Sequence, residues 1–87
     1  MQPARLDDDS PAARIYRYLS ERPNEWVPNT DLVHAVPCIA LSTHISAIRK
    51  RLVAEPERRE VMEPARVFDG EHCYRLSFVT GQMELIA

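Results

Sequence analysis

Glycine, cysteine and lysine are the scarce residues of this 87-residue chain. There are two glycines and two cysteines, and Lys50 is the single lysine among eleven basic side chains. With Gly70 and Gly81 alone, no glycine-rich phosphate loop is present. Cys38 and Cys73 are too few for a disulfide framework and are read as reduced thiols. They do not form a metal ligand set either. His34 and Cys38 straddle Pro37, which breaks a helix, and His72 and Cys73 are strand neighbours that point to opposite faces. No metal and no cofactor are therefore expected. No apolar run approaches the roughly 18 residues that cross a bilayer. Met1–Arg5 lacks the apolar stretch of a signal peptide. The expected location is cytoplasmic. Neither sign of charge dominates: eleven basic against thirteen acidic groups give a net charge of −2. That balance disfavours indiscriminate nucleic-acid binding, which is driven by phosphate neutralisation. Catalytic pairings are also missing. Asp7–Asp9 is an acidic run in an aperiodic segment, and Ser42 and His44 diverge on a helix, so an enzyme is not expected.

What remains is enough for one small domain. Residues 1–9 read as a flexible acidic tail, 10–78 as the folded unit, and 79–87 as a tail that adds a strand or a dimer contact through Met83, Leu85 and Ile86. Ser10-Pro11 is an N-cap followed by proline at the first helical position. Ala12, Ile15, Tyr16 and Leu19 then predict a helix over about 11–21. Trp26-Val27, between prolines, suggests a one-bridge strand. A second helix is placed at about 29–35, capped by Asn29 or Thr30, with Leu32, Val33 and Val36 inward. The clearest element is a third helix over about 40–53, where Leu41, Ile45, Ile48 and Leu52 make one apolar stripe. Residues 61–68 and 72–78 then read as two strands about an Asp69-Gly70 turn, because a type I′ hairpin needs positive φ at both central positions. The predicted class is α+β: three helices plus a C-terminal β-hairpin wing, the order of a winged helix-turn-helix.

The stretch Leu41-Ser42-Thr43-His44-Ile45-Ser46-Ala47-Ile48-Arg49-Lys50-Arg51-Leu52 resembles the recognition helix of the OmpR/PhoB-type response-regulator effector domain. Tyr18–Val27 is similar to the end of that family's first helix, Asp31-Leu32-Val33 to its second, and Tyr74-Arg75-Leu76 to the strand that closes its wing. The similarity spans about residues 15–78 and includes no receiver domain. It implies a stand-alone winged-helix protein of bacterial or phage type that binds double-stranded DNA in a sequence-specific way and regulates transcription. Such proteins read the major groove with the third helix. Within that resemblance Ser42, Thr43, Ser46, Arg49 and Lys50 face DNA, with Arg66 on the first wing strand near the backbone.

Arg49–Arg51 also suits a solvated face, since cations favour a helix C-terminus. Arg51 has Glu55 four residues on as an ion-pair partner. Neither Arg49 nor Lys50 belongs to the apolar stripe, so replacing both is expected to leave the fold intact. Carboxylates Asp69 and Glu71 at the wing tip repel phosphate. Trp26 is read as an aromatic plug between the first helix and the wing sheet. Two partner classes follow: double-stranded DNA, bound by a possible homodimer, or a protein partner for the same fold with no DNA role.

Overall fold

The computed structural model describes residues 9–78. Asp7, Asp8 and the 79–87 segment read as a strand or dimer contact lie outside the described residues. The first helix, α1 (Pro11–Ser20), starts as its sequence dictates: the Ser10 hydroxyl accepts the Ala13 N–H at 3.2 Å, and Pro11 opens the first turn. Its apolar side buries Ala12, Ile15 and Leu19. The chain then turns at Asn24, whose φ is +64° and whose N–H donates to the Leu76 carbonyl at 2.9 Å. A two-residue strand, β1 (Val27–Pro28), leads directly into α2 (Asn29–Ala35).

Here one expectation fails. Neither Asn29 nor Thr30 caps α2, because Pro28 occupies the cap position and Pro28 has no side-chain acceptor. The Thr30 N–H is satisfied instead by Glu71, whose carboxylate reaches it at 2.8 Å from the wing. After a turn in which Ala40 adopts a left-handed conformation, α3 (Leu41–Ala54) buries its whole predicted stripe. A 3-10 turn over Pro56–Arg58 follows, and Arg51 and Arg58 both pair with Glu55, the latter at 2.5 Å.

The hairpin is present but divided. Its first arm is β2 (Glu60–Met62) and β3 (Arg66–Phe68), and its second is β4 (Glu71–Tyr74) and β5 (Leu76–Phe78). Near the turn Phe68 faces Glu71 and Arg66 faces Cys73, whereas further in Met62 faces Leu76. Three residues, Glu63-Pro64-Ala65, therefore oppose two, Tyr74-Arg75. That is a bulge with one extra residue, placed where proline could not have donated to a ladder. It splits each predicted strand in two and yields a sheet ordered β1-β4-β3 and a separate β2-β5 pair, all antiparallel. Asp69 and Gly70 have φ of +52° and +79°, as a type I′ turn requires.

Three helices and these strands close one core, in which Ile15, Leu19, Leu32, Ile48 and Leu76 are fully buried. Burying a side chain of this kind contributes roughly 1.5–3 kcal/mol, so these five are among the largest single contributors to the core. The class is α+β, and the order of elements is compatible with a winged-helix layout. Among the described residues, no helix is long and apolar enough to cross a membrane.

Candidate nucleic-acid interface

The buried stripe of α3 fixes what the rest of that helix can present. Ser42, Ser46 and Arg49 lie on one flank, facing the wing. Thr43 and Lys50 lie on the outermost line, directly away from the core. Ser42, Thr43, Ser46 and Lys50 are exposed, and none of their side chains makes a hydrogen bond or ion pair among the described residues. Between α3 and the wing runs an open groove of about 610 Å³. Ser42, Ser46 and Arg49 form one wall, Pro64, Ala65 and His72 the other, and Asn29 and Tyr74 also line it. Burial among these neighbours raises the Tyr74 phenol above its ordinary range, against the opposing pull of the Arg49 charge.

Arg49 is not a free member of that wall. Its Nε donates to the Met62 carbonyl at 3.2 Å and its Nη2 to the Glu63 carbonyl at 3.1 Å. The guanidinium thus clamps α3 to the wing where the bulge begins. The expectation that Arg49 can be removed without touching the fold does not survive this geometry. Arg51 pairs with Glu55, as its spacing predicted. Among the described residues, Lys50 is consequently the α3 cation with no hydrogen-bond or ion-pair partner.

Arg66 is placed elsewhere. Strand alternation puts Arg66 and Phe68 on one face of β3 and Val67 on the other, and Val67 shares its face with His72, which lines the groove. Arg66 therefore lies on the outer side of the wing sheet, with its guanidinium 5.6 Å from the Trp26 ring centroid. Of the six candidate residues, the groove gathers Ser42, Ser46 and Arg49. Thr43 and Lys50 sit on the helix beside it, and Arg66 is separated from them by the thickness of the sheet.

Trp26 does not fill the role read for it. It is half-buried on the outer face of the wing sheet, outside the core cluster, and packs against Phe68 with ring centroids 5.6 Å apart. The Arg75 guanidinium also lies over the Trp26 ring, 4.6 Å from its centroid. Beneath this group Cys73 is buried although it points away from the core. Arg75 is held by a two-pronged pair to Glu63 at 2.7 and 3.1 Å, and Ser77 donates to the same carboxylate. The Arg75 bonds hold the Glu63 carboxyl below its usual range against the opposing effect of burial, and the Ser77 bond adds to the lowering.

Sequence reading missed Asn29 as a groove residue and did not bring His72 into the groove. The missing signal was the bulge, because without its register the inward face of β4 could not be named. Glu71 was counted with Asp69 as a repulsive tip charge, whereas it turns back onto α2. Among the described residues, no group of three or more histidine, cysteine, aspartate or glutamate side chains is arranged to hold a metal ion. Neither a family model, nor a curated protein, nor a solved structure matches this chain.

Proposed function

We propose that this protein binds double-stranded DNA in a sequence-specific way, as a small transcriptional regulator of the cytoplasm, with α3 in the major groove. One observation carries the proposal: the outward side of a core-anchored, fourteen-residue helix holds Ser42, Thr43, Ser46 and Lys50, all exposed and, among the described residues, all without a side-chain hydrogen bond or ion pair. A helix of this diameter enters a groove about 12 Å wide, where hydroxyls read base edges and an ammonium meets phosphate. No side chain caps the first turn of α3, so its leading N–H groups add a phosphate-facing dipole to the same end. Redirecting Glu71 to Thr30 also draws one carboxylate away from the DNA side.

The low charge of this face sets the expected behaviour. Each neutralised phosphate contributes a slope of about −0.9 in log affinity against log salt, and with Lys50 as the α3 cation unpaired among the described residues that slope should be shallow. The test is a titration of isotopically labelled protein with a mixed-sequence duplex at low and moderate salt. Amide shifts confined to Ser42–Lys50 and His72, weakening with salt, support the proposal. Silence at low salt refutes it. A second reading, a protein-interaction module with no DNA role, is favoured by the partly exposed Trp26–Phe68 pair and the net charge of −2.

A further inference from the structure

Among the described residues, β3 is the outer strand of its sheet, and all three of its residues are exposed, with Val67 at 59% and Phe68 at 42%. A two-residue type I′ turn makes Phe68 and Glu71 a hydrogen-bonded pair, and alternation then leaves Val67 and His72 as a pair that does not exchange bonds. The N–H and C=O of Val67 therefore point away from β4, side by side on an open edge. A lone donor and acceptor on one residue match their own rotated copy: antiparallel pairing of two such edges closes a reciprocal pair of bonds, Val67 to Val67.

The side chains agree with that symmetry. With Val67 on the two-fold axis, Arg66 of each copy falls directly opposite Phe68 of the other, on the same outer face. Each guanidinium would then lie against an aromatic ring in a cation–π contact, extending the Trp26–Phe68 stack already present. We propose that β3 is a self-association edge and that its occupant is β3 of a second copy of this chain. The neighbouring features limit the association to a pair. Pro64 and the bulge end β3 on one side, the turn ends it on the other, and the opposite edge of the sheet is the two-residue β1, finished by Pro28. The inference is independent of DNA binding, because it rests on the wing edge and not on α3.

The test uses the full chain and its mass in solution. Light scattering at micromolar and millimolar concentrations should show a rise toward twice the 10.0 kDa of one chain. Val67→Lys and Val67→Glu each place like charges across the axis, so each variant alone should remain at the single-chain mass with an unchanged melting temperature. An equimolar mixture of the two brings opposite charges together and should recover the doubled mass. Wild-type protein that stays at 10.0 kDa at millimolar concentration overturns the proposal. So does a dimer that survives Val67→Lys, or a mixture that fails to associate.

Discussion

Replacing Arg49 by alanine should unfold the domain more easily, although Arg49 sits on the polar side of its helix. The perturbation removes two guanidinium bonds to the Met62 and Glu63 carbonyls. Hydrogen bonds to charged groups contribute about 1.5–3 kcal/mol each when well buried. These are part-buried, and water can reach the freed carbonyls, so a combined loss of about 2 kcal/mol is the reasonable figure. For a domain of this length each kcal/mol moves the melting temperature by about 4–8 °C, so the expected drop is about 8–16 °C. The assay is thermal unfolding followed by circular dichroism, with Lys50→Ala as its comparator. Lys50 has no side-chain partner among the described residues, and its removal should stay within about 0.5 kcal/mol of wild type. Arg49→Lys keeps the charge but not the planar fork, and should fall between the two. If Arg49→Ala melts together with Lys50→Ala, the clamp has no energetic weight and the reasoning is wrong. If the drop appears, a loss of DNA binding in Arg49→Ala cannot be assigned to a lost base contact.

Three further outcomes can be checked. Glu71→Ala removes the acceptor at the start of α2 and should cost about 1 kcal/mol, with a shift of the Thr30 amide resonance; an unmoved Thr30 amide contradicts the capping role. Glu63, depressed by Arg75 and Ser77, contributes stability that is full above its unfolded value and lost as pH falls through the folded one. Glu63→Gln should therefore flatten the acid limb of the stability profile, and parallel limbs would falsify this. Tyr16 is shifted the other way, by burial and then by its bond to Glu60 at 2.5 Å. Its contribution is present below the ordinary phenol range and lost as pH rises through the folded value, so Tyr16→Phe should flatten the alkaline limb.

The parts of the fold legible in the sequence are those set by local chemistry. Ser10-Pro11 opened α1, the Leu41/Ile45/Ile48/Leu52 stripe located α3, and Asp69-Gly70 placed the turn, because each acts over a few residues. What stayed hidden depends on partners distant in the chain. The cap of α2 comes from Glu71, forty-one positions away, and the carbonyls that hold Arg49 exist only once the bulge has formed. Trp26 was misread because its size suggested burial, while the face it occupies is decided by the register of β1 against β4. The candidate site was correspondingly half visible: the helix face was legible, and the wing wall was not.

The bulge at Pro64 also divides the wing in time. Met62 and Leu76, on the inner half, are anchored in the core, so their strands can open only when the whole domain opens. On the outer half β3 exposes every residue and, among the described residues, is held by β4 and by the contacts of Arg66 and Phe68 with Trp26. Amide hydrogens there should exchange through local opening, far faster than those of β2 and β5. A chain built this way can be lengthened at Asp69-Gly70, even by a short insertion, while the core beneath keeps its cooperativity.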